Sequence, residues 1–223
     1  MTVLGPPPSV GSLGALRRLV VAPRELDVEE RCELCGRPIP DEHGHLVNVE
    51  LRSLLCACRP CYLLFTEAAA ELKYRAVPDR HLQFANFTLI RGQWDDLEIP
   101  VNLAFFFSHS GMERTVAFYP GPAGATESEL DLGAWESVVS MNPALRTLAP
   151  DVEAVLIRLD ERGSGTFSCF LVPIDACYEL VGQLRQVWRG FDGGQEARGR
   201  IDGFFADLCA RSRQVDATTE LGR

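Results

Sequence analysis

The chain has 223 residues, 46% of them apolar and 24% charged, enough for a sizeable core or for a small module joined to a larger domain. That balance excludes a disordered or collagen-like chain, and the best apolar runs, Val101 to Phe107 and Val152 to Leu159, fall far short of the roughly 18 residues of a membrane-spanning helix. Lys and Arg number 22 against 31 Asp and Glu, a formal charge of −9, so neither nucleic acid nor an anionic membrane surface is expected as a partner.

Residues 1–12 are rich in Pro, Gly and Ser, and 1–27 read as a flexible tail carrying a short helix over Leu13 to Val20. The apolar stretch there is interrupted by Arg17-Arg18 and followed at once by acidic residues, unlike an export signal. The expected location is the cytoplasm, where eight cysteines point to metal or redox chemistry before disulfides.

Residues 28–75 hold Cys32, Cys35, Cys56, Cys58 and Cys61. The alternating stretch from His45 to Cys58 suits a β-hairpin. Pro60 precedes a helix-forming run, CYLLFTEAAAELK, and proline is favoured at the first helical position. Cys58 is therefore expected at the hairpin's end and Cys61 in the first helical turn.

Two CxxC pairs, Cys32/Cys35 and Cys58/Cys61, flank that hairpin and would bring four sulfurs to one point. This is the ligand set of a closed structural zinc site. Gly36 would let the chain turn so that backbone N–H groups face the sulfurs, and the helix start would favour a thiolate at Cys61. Turn, hairpin and helix in this order resemble the treble-clef or zinc-ribbon arrangement. Four cysteinates also suit a rubredoxin-type iron or an iron–sulfur cluster. Cys56 is an alternative ligand, because residues two apart on a strand share a face. His43 and His45 admit an HNH-type nuclease reading, with a His as general base. Their spacing is poor for it, no Asn follows the second CxxC, and residues 24–80 carry eight basic and eleven acidic side chains. Polar residues approaching a hairpin are the expected role.

Residues 76–213 read as an α+β domain, followed by a flexible C-terminus over 214–223. A helix is expected from Thr88, as N-cap, to Leu97. Strands follow at Val101 to Phe107 and Arg114 to Tyr119, then a helix near Asp131 to Ser140. Val152 to Asp160 and Thr166 to Val172 form a second strand pair, and helices run from Asp175 to Arg189 and from Gln195 to Ser212. The order strand, turn, strand, Pro, helix occurs twice, with Pro120 and Pro173 in matching places. The prediction is one antiparallel sheet of about four strands with helices on one face. The run Phe105-Phe106-Phe107 favours a central strand with both faces covered, and Trp94, Trp135 and Trp188 are expected to anchor helices.

Three weaker candidates read as structural. Gly121 to Ser128 lies where phosphate loops occur, but no Lys follows and carboxylates crowd the next helix. Cys177, with His81 or His109, would make a nucleophile only if folding joined them. Cys169 and Cys209 read as core.

The runs CELCGRPIPDEHGHLV, LLCACRPCYLLF, IPVNLAFFF, FYPGPAGATESELDL, VPIDACYELVGQLR and WRGFDGG together resemble an uncharacterised actinobacterial family encoded among the genes of uptake [NiFe] hydrogenases. The resemblance spans about residues 28–210 and implies no established activity. It implies a setting: an accessory factor whose partner is a hydrogenase subunit or a maturation factor.

Overall fold

A computed structural model describes residues 30–66, 73–128, 132–160, 165–190 and 193–221. The tail expected over 1–27 lies outside them. The hairpin over 45–58 forms as β1 (Gly44–Asn48) paired antiparallel with β2 (Ser53–Ala57), with His45 opposite Cys56 and Leu46 opposite Leu55. A third strand, β3 (Tyr74–Ala76), pairs with the other edge of β1. The expected long helix is cut short: α1 is Arg59–Leu63, with Cys58 as N-cap and Pro60 second rather than first, and Phe65 and Thr66 are no longer helical. Leu64 caps it, and residues 67–72 lie outside the described set.

Among the described residues the remainder is built on seven strands, not about four. β4 (Leu82–Ala85), β5 (Leu103–His109), β6 (Arg114–Gly121), β7 (Gly124–Ser128), β8 (Glu153–Leu159), β9 (Phe167–Pro173) and β10 (Arg213–Asp216) lie in the order β10-β4-β9-β8-β5-β6-β7. All neighbours are antiparallel except β10 and β4, so the sheet is mixed. The segment 214–223 is therefore not a free tail at its start: β10 takes up the sheet edge and Ala217 is fully buried beyond it. Gly121 to Ser128 is not a loop either. It closes a tight hairpin between β6 and β7, with Gly124 at a φ of +118° that suits only glycine.

Helices cover both faces of this sheet, not one. Leu103, Phe105 and Phe107 of β5, with Leu156 and Phe170, face α4 (Ile174–Val187) and α5 (Gly194–Arg211). Ala104, Phe106, Val155, Ile157 and Leu171 face α2 (Arg91–Asp96) and α3 (Leu132–Met141). A strand buried on both sides needs no polar alternation, which accounts for the apolar runs in β5, β8 and β9. Trp94, Trp135 and Trp188 are all buried at helix–sheet contacts, as expected. The repeated strand–turn–strand–helix order is not a structural repeat, because β7 intervenes after β6 and α3 and α4 pack on opposite faces.

Helix starts also shift. Thr88 does not cap α2; Ile90 stands at the N-cap, and its N–H is taken by Gln93 Oε1 at 3.1 Å. Thr88 is held instead by fully buried Asn142. Asn142 Oδ1 accepts Thr88 N–H at 2.9 Å, and Nδ2 donates to Thr88 O at 2.9 Å and Val138 O at 2.8 Å. Asn142→Leu removes these three hydrogen bonds, each worth about 0.5–1.5 kcal/mol net. A loss of about 2–4 kcal/mol is expected in urea unfolding; a midpoint within error of the parent would show that the clamp carries no stability.

The two sheets share one interior. Val47 of β1 and Val77, just past β3, belong to the same core cluster as Phe105 and Ile174. Arg75 Nη1 donates to Asp151 Oδ2 at 2.9 Å across the junction. The cysteine-bearing segment is thus packed onto the larger sheet.

Candidate metal centre

The first pair of cysteines sits in a tight turn before β1. Gly36, at φ +72°, donates its N–H to Cys32 O at 2.8 Å, and Cys32 N–H is bonded to Arg37 O at 2.8 Å. Glu33 N–H reaches Cys56 O at 2.9 Å, which ties this turn to β2. The second pair flanks the start of α1, where Tyr62 N–H bonds Cys58 O at 2.9 Å. The hairpin brings the two ends together, as the spacing predicts. The sulfurs of Cys32, Cys35, Cys58 and Cys61 all lie within 4.8 Å of one another, and these residues could hold a metal ion. Cys35 Sγ and Cys58 Sγ are 3.6 Å apart. A tetrahedron with metal–sulfur bonds of about 2.3 Å has edges of roughly 3.8 Å, so the donor set fits.

Cys32 and Cys58 are buried, Cys61 is half-buried and Cys35 is exposed. Burial pushes the Cys32 thiol up, but the backbone N–H groups of Cys58, Cys35 and Leu34 outweigh it and bring it down to about 6. The amides of the turn do face a sulfur, as Gly36 suggested. Cys61 departs from expectation. Hydrogen bonding to Cys58, then burial, then bonding to Cys35 and Cys32 push its thiol up to about 12. α1 has only five residues, so its dipole does not outweigh a neighbouring thiolate. A cation held by the four sulfurs displaces the thiol protons that remain.

Cys56 does not join this set. The strand alternation that would align it with Cys58 ends at Ala57, where β2 stops and the chain turns into α1. Cys56 groups instead with His43 and His45, whose ligand atoms lie within 4.8 Å of one another and of its sulfur. The two imidazole centroids are 4.8 Å apart. His43 and His45 line a groove of about 1290 Å³ that runs between the hairpin and the start of α4, past Tyr62, Asp79 and His81. This grouping was legible in part: His43 and His45 are two apart, and the hairpin register sets His45 opposite Cys56.

The remaining candidates resolve as structure. Cys177 is fully buried, and burial followed by the Asp175 charge raises its thiol, opposite to what a nucleophile needs. Neither His81 nor His109 is hydrogen-bonded to it among the described residues. Asp175 is not the cap of α4; Pro173 holds that place, and Asp175 Oδ2 accepts from His45 Nδ1 at 2.8 Å. Cys169 is core as expected, but Cys209 is exposed. Among the described residues no helix is long and apolar enough to cross a membrane.

Residues 31–212 match the Family of unknown function (DUF5947). The chain belongs to that family. The matched span takes in both CxxC pairs, His43, His45, Cys56 and every strand except β10. No curated protein and no solved structure matches the chain.

Proposed function

We propose that this protein of the DUF5947 family is a non-catalytic accessory protein. Its N-terminal segment is a treble-clef-like module closed by one zinc ion on Cys32, Cys35, Cys58 and Cys61, and the module and sheet together dock a protein partner. One observation carries the metal reading: four sulfurs from two distant chain segments converge within 4.8 Å. The small core around them supports a structural role. Its buried members among the described residues are Cys32, Ile39, Leu46, Ala57 and Cys58, fewer than an independent fold of this size needs. Zinc is favoured over iron because closed four-cysteine hairpin sites are mostly structural zinc sites. The partner, a [NiFe] hydrogenase subunit or maturation factor, rests on the sequence resemblance alone.

Elemental analysis and a visible spectrum of anaerobically purified protein test the metal assignment. Zinc without colour is the expected result. Iron with absorption between roughly 300 and 500 nm, the range of iron–thiolate charge transfer, would replace it with a rubredoxin-like or iron–sulfur carrier on the same cysteines. Pull-down from cells making hydrogenase, with tagged full-length chain, tests the partner; recovery of no hydrogenase subunit or maturation factor would sink that assignment.

A further inference from the structure

We propose that His43, His45 and Cys56 form a second metal site, separate from the four-cysteine cluster. It binds one divalent cation of the zinc class through two imidazole Nε2 atoms and one thiolate.

The imidazoles are already prepared as ligands. His43 Nδ1 lies 2.9 Å from Pro40 O and 3.1 Å from Asp41 O. Both are acceptors only, so Nδ1 carries the proton and Nε2 keeps its lone pair. The His43 side chain is only 7% exposed, and its Nε2 is buried with no hydrogen-bond partner among the described residues. An orphaned imidazole nitrogen in a buried position costs free energy unless something occupies its lone pair. His45 Nδ1 donates to Asp175 Oδ2 at 2.8 Å, which leaves its Nε2 lone pair free as well. An imidazole whose second nitrogen donates to a carboxylate or a backbone carbonyl is the usual arrangement of a metal-bound histidine. Here one histidine uses each kind of acceptor.

The third ligand is set by register. Cys56 is the direct cross-strand partner of His45, so their side chains share one face, and His43, just before β1, brings its ligand atom within 4.8 Å of theirs. Two imidazoles and a thiolate select zinc-class ions over magnesium or calcium, which need oxygen ligands. Binding releases the Cys56 thiol proton to solvent. Three protein ligands leave a coordination position for water or another small donor, and the groove beside His43 and His45 gives it access. Asp175 belongs to α4, so the site couples the hairpin to the large sheet.

The test is metal stoichiometry on the full chain, dialysed against Zn²⁺ and then against metal-free buffer, with far-UV circular dichroism as the check on folding. Two zinc ions per chain are expected in the parent, and one in His45→Ala and in Cys56→Ser. Asp175→Asn keeps an acceptor for His45 but loses the charge. It should bind the second ion about 10–100-fold more weakly, read by competition with a chromophoric chelator, with the first ion unaffected. A parent that binds one ion, lost on Cys61→Ser but kept by Cys56→Ser, overturns the second site and leaves the first intact. Loss of all metal in Cys56→Ser also overturns it, because Cys56 would then serve the four-cysteine cluster. A parent that binds one ion, lost in His45→Ala but retained in Cys61→Ser, would support the second site while removing the first.

Discussion

Replacing Cys32 or Cys61 by serine should release the metal ion and open the hairpin module, and it should lower the stability of the large sheet as well. The first effect follows from how little else holds the module. Structural zinc in small modules contributes an apparent 10–16 kcal/mol or so, against a core with five buried side chains among the described residues, two of them ligands. The second follows from the shared interior. Val47 and Val77 are buried in the same core cluster as Phe105 and Ile174, and exposing a buried valine costs about 1.5–3 kcal/mol. Losing both removes about 3–6 kcal/mol from the remaining fold. For a chain of this size each kcal/mol corresponds to roughly 2–4 °C, so the main melting transition should fall by about 6–24 °C. Hydrogen exchange should show fast amides at Leu46 and Ala57, while those of β5 and β8 stay protected. Unchanged metal content with slow exchange at Leu46 would refute the structural role of the cluster. An unchanged melting temperature with the hairpin open would show that the two sheets are energetically independent.

The parts of this fold that could be read from the sequence are those whose pattern has one physical cause. Two CxxC pairs around an alternating stretch specify a hairpin, and β1 and β2 pair with His45 opposite Cys56. β5, β8 and β9 were legible because their mostly apolar, strand-length runs are too short for helices and too apolar for surface strands. The missed strands carry the opposite signal. β10 reads Arg-Gln-Val-Asp and has no buried residue, yet it forms because it completes the edge beside β4. β7 reads Gly-Ala-Thr-Glu-Ser, which looks like a loop; its pairing is dictated by the two-residue turn that precedes it. Helices on both faces were implied by Phe105-Phe106-Phe107, since adjacent side chains on a strand point to opposite sides. The expected single helical layer conflicted with that run, and the run was the better guide. In the metal region the four-cysteine set was legible from spacing alone. The place of Cys56 was not, because it depends on where β2 ends. One residue more of strand would align Cys56 with Cys58; ending at Ala57 frees Cys56 to face the histidines.

Phe106→Ala is expected to be the most destabilising single change in the large domain, at about 3–5 kcal/mol. Phe106 has no exposed surface and sits at the centre of the sheet, on β5 between Ala117 of β6 and Val155 of β8. Its ring stacks on Trp135 of α3 with centroids 4.4 Å apart and planes within 8°. Truncation therefore removes transfer free energy, leaves a cavity that flanking strands cannot close, and loses a ring pair worth about 0.5–1.5 kcal/mol. Phe106→Leu should cost less, about 1–2 kcal/mol, because it keeps most of the volume. Urea unfolding of the three proteins checks the order. Metal content supplies a second readout, because Phe106 faces α2 and α3 in a cluster that contains no residue of the cysteine module. The alanine variant should keep its bound metal while its unfolding midpoint falls. Loss of both together would mean that the module depends on the far face of the sheet, which its contacts through Val47, Val77, Arg75 and Asp175 do not provide.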